Sequence, residues 1–148
     1  MNLPTNILFV CIENAGRSQM AEAFFKKHAK NSFNVVSAGT CPSPKIDPVV
    51  VSAMNEIWID LKNQQPQLLS ISMIKNSNKT VNMGCMDKES CPSLFVKDVD
   101  DWNMDDPKGT SLDDVRKIRD QIKHSVLNLL DSLECDNWWL IPIYKFLL

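Results

Sequence analysis

The sequence predicts an α/β fold, a doubly wound parallel sheet covered by helices on both faces, and three observations predict it. Short β-type apolar runs alternate with amphipathic helical segments along the chain. The first run, Ile7-Leu8-Phe9-Val10, is continuously apolar, as a strand buried on both faces must be. A short loop of small and polar residues follows it and opens directly into a helix. In parallel sheets that strand–loop–helix junction is where ligands sit.

Taken in order, residues 7–11 form the first strand. Residues 17 to about 29 form a helix with Met20, Ala21, Phe24, Phe25 and His28 on one face. Residues 34–38 read as a second strand ended by Gly39, and Pro42, Pro44 and Pro48 punctuate the loop beyond. Asp47 caps a helix that has Pro48 at its first position and runs towards Ile57. Pro66 opens a further helical stretch from Gln67 to about Asn76. Residues 80–84 read as a strand ending beside Cys85, and Leu94, Phe95, Val96 and Val99 as another extended segment. The longest helix covers residues 111 to about 133, with Ser111 as cap and Val115, Ile118, Ile122, Val126, Leu129 and Leu130 at helical spacing.

A chain of 148 residues supports one domain with a sizeable core, so residues 1–148 are expected to form a single catalytic domain. A net charge of −2 argues against nucleic acid as the main partner. The N-terminus has no basic region, no run is long enough to span a bilayer, and the expected location is cytoplasmic. Five cysteines, Cys11, Cys41, Cys85, Cys91 and Cys135, then argue for reactive thiols rather than a disulfide framework. Zinc is a weak alternative, because no Cys-x-x-Cys pair occurs and neither His28 nor His124 falls at ligand spacing.

The stretch from Cys11 to Ser18, with Ile12, Glu13, Asn14, Ala15, Gly16 and Arg17 between, carries the chemistry. Backbone N–H groups of such a loop and the helix N-terminus behind it converge on one spot and favour negative charge there. Arg17 can grip two oxygens of a tetrahedral anion through its planar fork. The same positive field favours the thiolate of Cys11. Ser18 can donate a hydrogen bond to that sulfur, and Asn14 can brace the loop. A strand-end cysteine is often only a small hydrophobe; Arg17, Ser18 and the flanking strand and helix make it a candidate nucleophile.

Two further elements fall at strand ends or near them. Cys85 and Cys91 flank a polar loop, and Cys85 lies at the end of a strand expected to neighbour the first. Asp105 and Asp106 precede Pro107 in a loop before the last helix. A carboxylic acid there could protonate a leaving oxygen. Asp106, held against the proline, is the better candidate and Asp105 the alternative; turn-making explains either one equally well in isolation.

With these residues in place the chain resembles the thioredoxin-coupled arsenate reductases built on the low-molecular-weight protein tyrosine phosphatase fold. The match runs from about residue 7 to 130. It rests on Val10-Cys11 through Arg17-Ser18-Gln19-Met20-Ala21-Glu22, on Ser37-Ala38-Gly39, on Cys85 with Cys91-Pro92, and on Trp102 through Asp106-Pro107-Lys108-Gly109. The resemblance implies a four-stranded sheet and a thiol relay. Cys11 attacks arsenate with Asp106 assisting departure of water, Cys85 then attacks Cys11 to release arsenite, and Cys91 takes over the disulfide for reduction by thioredoxin or a similar dithiol. It implies no bound organic cofactor. Some relatives hold a potassium ion with an Asn, a Glu, a Ser and an Asp. Asn14, Glu22 and Ser37 match the first three, whereas the acidic position falls near Gln67-Leu68. Lys108-Gly109, where the phosphatases carry aromatic residues, favours the reductase. The phosphatase remains the runner-up, and a redox sensor switching at Cys85/Cys91 the non-enzymatic alternative. The apolar segment 136–148 extends past the resemblance; packing on its own domain is expected, with a dimer contact as the alternative to a monomer.

Overall fold

The computed structural model describes residues 4–30, 33–84 and 99–135. In chain order these form β1 (Thr5–Cys11), α1 (Arg17–His28), β2 (Phe33–Gly39), α2 (Pro48–Asn55), α3 (Ile71–Asn76), β3 (Lys79–Asn82), β4 (Val99–Asp101) and α4 (Leu112–Cys135). The strands make one sheet in the order β2-β1-β3-β4, with every neighbouring pair parallel. This is the doubly wound α/β architecture that the alternation predicts, with the four strands that the resemblance implies.

Side chains alternate across β1 with the period of two that a strand imposes. Ile7, Phe9 and Cys11 enter the larger core with Phe24 and Phe25 of α1, Met54 of α2 and Ile122 and Val126 of α4. Leu8 and Val10 face the other way, into a smaller cluster with Ala38 and Ile74 of α3. Phe9 anchors the larger core: its ring lies edge-on to Phe25 at 6.0 Å and tilted against Trp102 at 5.7 Å. Removing such a ring costs about 3–5 kcal/mol.

The register sets the site. Cys11 pairs with Gly39 of β2, and Val10 with Asn82 of β3, so three strands end side by side. Two of the helices, α2 and α4, begin where their sequence signals place them. The Asp47 carboxylate accepts from the Val49 N–H at 2.9 Å, with Pro48 at the first position. Ser111 Oγ accepts from the Asp114 N–H at 3.2 Å ahead of α4. The expected stripe of α4, Val115 to Leu130, is buried at all six positions.

Three local expectations need correction. The stretch from Gln67 is not helical until Ile71: Gln67 O accepts from Gly39 N at 2.9 Å, and Leu69 N donates to Gly39 O at 2.8 Å. Ladder-like pairing with the end of β2 wins over helix propensity there, and Ser70 Oγ, accepting from Met73 N, starts the helix afresh. The helix expected to reach Ile57 stops at Asn55, and the chain reverses through Trp58 at φ 64°. His28 is exposed rather than buried with Phe24 and Phe25, because the last turn of α1 runs clear of the core. There Lys26, Lys27 and His28 complement the helix dipole. The extended segment expected around residues 94–96, like the apolar segment 136–148, lies outside the described residues. No described helix is long and apolar enough to cross a membrane.

Candidate active site

Ile12, Glu13, Asn14, Ala15 and Gly16 form a loop from the end of β1 to the first turn of α1, and Cys11 sits at its base, buried at 3% exposure. The chain turns tightly because Asn14 takes the left-handed conformation at φ 51°, one that asparagine tolerates. The same turn aims the Asn14 N–H at Cys11 Sγ, 3.1 Å away. Ser18 Oγ lies 2.8 Å from that sulfur. Because Ser18 Oγ accepts from Asn14 Nδ2 at 2.7 Å, its own O–H is free to point at the sulfur. An ionised Cys11 has no proton to give, so on the thiolate both the Asn14 N–H and the Ser18 O–H donate to the sulfur.

Arg17, the first residue of α1, is 8% exposed yet lines the cavity with Cys11. Its Nη1 donates to the Met104 carbonyl at 3.1 Å, and Nη2 stands 3.7 Å from Asp106 Oδ2. The guanidinium is thereby held in one orientation, with a carboxylate beside it. Of the two candidate acids, Asp106 lines the cavity with Cys11 and Arg17, and Asp105 does not. Asp106 Oδ1 accepts from Lys108 N at 3.0 Å, which fixes the turn through Pro107. Pro107 also packs onto Gly16, where a side chain would meet the proline ring at 2.8 Å. A glycine is needed there for the acid loop to reach the anion loop.

Cys11, Arg17 and Asp106 thus share one cavity of about 330 Å³ with Ser43, Lys45, Ile46, Asp47 and Pro48. Across its rim Lys108 Nζ donates to Glu13 Oε1 at 2.7 Å. That hydrogen bond holds Lys108 above the ordinary lysine range and gives the Glu13 carboxylate a partner other than the thiol. Cys85 and Cys91 lie outside the described residues. Gly84 is described, at φ 119°, with its Cα against the Arg17 guanidinium, so that a Cβ would overlap Nη1. Cys41 is exposed and is not hydrogen-bonded to the sulfur of Cys11.

Beneath the loop, Asn14, Ser37 and Glu22 come together. Asn14 Nδ2 donates to Ser37 Oγ at 2.9 Å, and Ser37 N to Glu22 Oε1 at 3.1 Å. Sequence reasoning missed how far glutamines support this layer. Gln19 Nε2 donates to Asn14 O and Oδ1, Gln67 binds both Asn14 and Ser37, and Gln64 Nε2 donates to Gln19 Oε1 at 2.8 Å. The available signal was Gln19 itself, a polar residue on the core side of α1 and fully buried in the fold.

The family model for low molecular weight phosphotyrosine protein phosphatases matches residues 6–137. An arsenate reductase of Staphylococcus aureus is 37% identical over 124 residues, covering 82% of this chain and 93% of that protein. The fold superposes on a thioredoxin-dependent arsenate reductase of Corynebacterium glutamicum with a TM-score of 0.77 at 30% identity, over 91% of this chain and 64% of that longer one. It superposes equally on an arginine phosphatase, YwlE, solved as a mutant with a phosphorylated active-site serine. There the TM-score is 0.78 at 29% identity, over 88% and 96% of the two chains. With a family match over most of its length, and a buried cysteine and arginine facing an exposed aspartate across one cavity, the chain belongs to the low molecular weight phosphotyrosine protein phosphatase family.

Proposed function

We propose that the protein is an arsenate reductase that works through a three-cysteine relay and is recycled by thioredoxin or a similar dithiol protein. The observation that carries the reading is the environment of Cys11 Sγ: two hydrogen-bond donors on the sulfur, at 3.1 and 2.8 Å, inside a cavity shared with Arg17 and Asp106. Donors aimed at sulfur stabilise the thiolate, which is the nucleophile. The Arg17 fork and the loop N–H groups hold the oxyanion in line with it.

In the first step a Cys11 S–As bond forms as an As–O bond breaks, and Asp106 delivers the proton that lets the oxygen leave as water. The Cys85 thiolate then attacks Cys11 Sγ. The S–As electron pair passes to arsenic, which leaves as arsenite, and a Cys11–Cys85 disulfide forms. Cys91 next attacks Cys85, freeing the Cys11 thiolate and moving the disulfide to Cys85–Cys91. The external dithiol reduces that bond and is itself oxidised. Gly84, which precedes Cys85 in the chain, lies against Arg17, and that supports giving Cys85 the second step. The Lys108–Glu13 pair at the rim, where an aryl group would need an apolar face, supports arsenate over an aromatic ester.

A second reading, phosphomonoester hydrolysis through a cysteinyl phosphate, is favoured by the cavity itself, which at about 330 Å³ has room beyond a tetrahedral oxyanion. The same Cys11, Arg17 and Asp106 would serve it. One experiment separates the two. Fully reduced protein is treated with arsenate alone, its free thiols are counted, and any disulfide is mapped by peptide mass. The reductase loses two thiols per arsenite formed, at Cys85 and Cys91, and Cys91→Ser abolishes arsenate turnover while keeping hydrolysis of an aryl phosphate. No arsenate-dependent thiol loss would give the phosphatase reading first place.

A further inference from the structure

Some relatives hold a potassium ion, and Asn14, Glu22 and Ser37 match three of its ligands, yet the donor set in this chain does not fit one. A hard cation needs a cage of free oxygens. Here those oxygens already receive N–H groups. Asn14 Oδ1 accepts from Gln67 N at 2.9 Å and from Gln19 Nε2 at 3.1 Å, which takes both of its lone pairs. Ser37 O accepts from Gln67 Nε2 at 2.8 Å, so an amide NH2 stands where a carboxylate would face a metal. Among the described residues no buried side-chain nitrogen or oxygen lacks a partner.

Charge points the same way. Glu22 is the carboxylate that reaches this layer among the described residues. Its Oε2 lies 3.6 Å from Lys26 Nζ, one turn along α1, and Oε1 accepts from Ser37 N at 3.1 Å. The lysine already supplies the counter-charge that a buried carboxylate requires. We infer that Gln67, with the Glu22–Lys26 pair, takes the place of a bound monovalent cation and is a positioning residue for the nucleophile. The path from its side chain is continuous: Gln67 Nε2 donates to Ser37 O at 2.8 Å, Ser37 Oγ accepts from Asn14 Nδ2 at 2.9 Å, the same Nδ2 donates to Ser18 Oγ at 2.7 Å, and Ser18 faces Cys11 Sγ. A cation held by a carboxylate can dissociate; an amide on the chain cannot.

The test needs no arsenate, so its failure is distinct from failure of the reductase reading. Thermal unfolding of the reduced wild type and of Gln67→Glu is followed in potassium chloride and in tetramethylammonium chloride at equal ionic strength. In the same buffers the rate of iodoacetamide labelling at Cys11 is read by peptide mass. The wild type should melt at the same temperature and label at the same rate in both salts. Gln67→Glu places a carboxylate oxygen against Ser37 O. It should melt lower in tetramethylammonium, regain about 3–5 °C in potassium by ligand linkage, and regain its labelling rate with it. Gln67→Ala keeps the backbone N–H on Asn14 Oδ1 but loses the side-chain bond to Ser37 O, and should label roughly 3–10-fold more slowly in both salts, the loss expected when one hydrogen bond bracing Ser37 and Asn14 is removed. Potassium-specific stabilisation of the wild type would overturn the inference, and so would a Gln67→Glu protein indifferent to potassium or a Gln67→Ala protein that labels at the wild-type rate. If Gln67→Glu does not fold, the wild-type comparison and Gln67→Ala decide alone.

Discussion

At the scale of single residues the site depends on close approaches that leave no room for a methyl group. Gly84 combines two of them: a left-sided φ of 119° and a Cα set against the Arg17 guanidinium. Alanine there must strain the backbone and displace Arg17 together, so Gly84→Ala should lose about 1–3 kcal/mol of stability. It should also weaken oxyanion binding, because Arg17 would leave the orientation fixed by Met104 O and Asp106. Urea unfolding and competitive inhibition by phosphate would show both effects; an unchanged inhibition constant would mean that Arg17 is not held by this contact. The residues that touch the anion were legible in sequence, because Cys11 through Ser18 are contiguous and their chemistry is read directly. Gln64 and Gln67 were not. Their roles come from pairing with Gln19, Asn14 and Ser37, 30 to 53 residues away, and no local pattern encodes such partners.

At the scale of elements the helices on the larger face are joined by one ionic clamp. Glu56, just past the end of α2, accepts from Arg116 of α4 at 3.0 Å and from Arg119 at 3.1 Å, and Arg119 Nη1 also donates to Ala53 O at 2.7 Å. The Arg116 hydrogen bonds hold the Glu56 carboxyl below the usual glutamate range of 4.5. A carboxyl lowered in the fold binds its proton more tightly when unfolded. Its contribution to stability is therefore present above pH 4.5 and is lost as pH falls through the folded value. Glu56→Gln should accordingly be less stable than wild type at pH 7, with the gap closing below pH 4.5. Urea denaturation at a series of pH values would reveal it, and a gap independent of pH would mean that the carboxylate charge is not what joins α2 to α4. The clamp also shows why element boundaries were read less well than element types. Periodicity announced α4 in full, since its stripe faces one core. The end of α2 and the start of α3 were decided by partners instead: a reversal at Trp58, and pairing of residues 67–69 with Gly39.

At the scale of the whole molecule, the sheet order makes the anion site a meeting point for segments far apart in sequence. β1 enters the centre with β2 and β3 on either side, and the loops after β1 and β2, together with the Asp106-Pro107 turn, close on one cavity. A ligand held there ties the ends of several elements that the unfolded chain cannot bring together. An oxyanion should therefore stabilise the fold by mass action, by about 2.7 kcal/mol at a hundredfold excess over its dissociation constant. For a chain of this length that is a rise in Tm of about 5–10 °C. Phosphate, as an inert stand-in for arsenate, should raise Tm with the logarithm of its concentration when compared with chloride at equal ionic strength. Arg17→Lys should flatten that slope, since an ammonium cannot reproduce the two-point grip of the guanidinium. Asp106→Asn should keep the slope or steepen it, because it removes the carboxylate that faces Arg17 at 3.7 Å while leaving the donors in place. A phosphate response equal in wild type and Arg17→Lys would place anion binding elsewhere on the protein. A response lost in both Arg17→Lys and Asp106→Asn would mean that the Asp106 turn, more than the charge of Arg17, shapes the site.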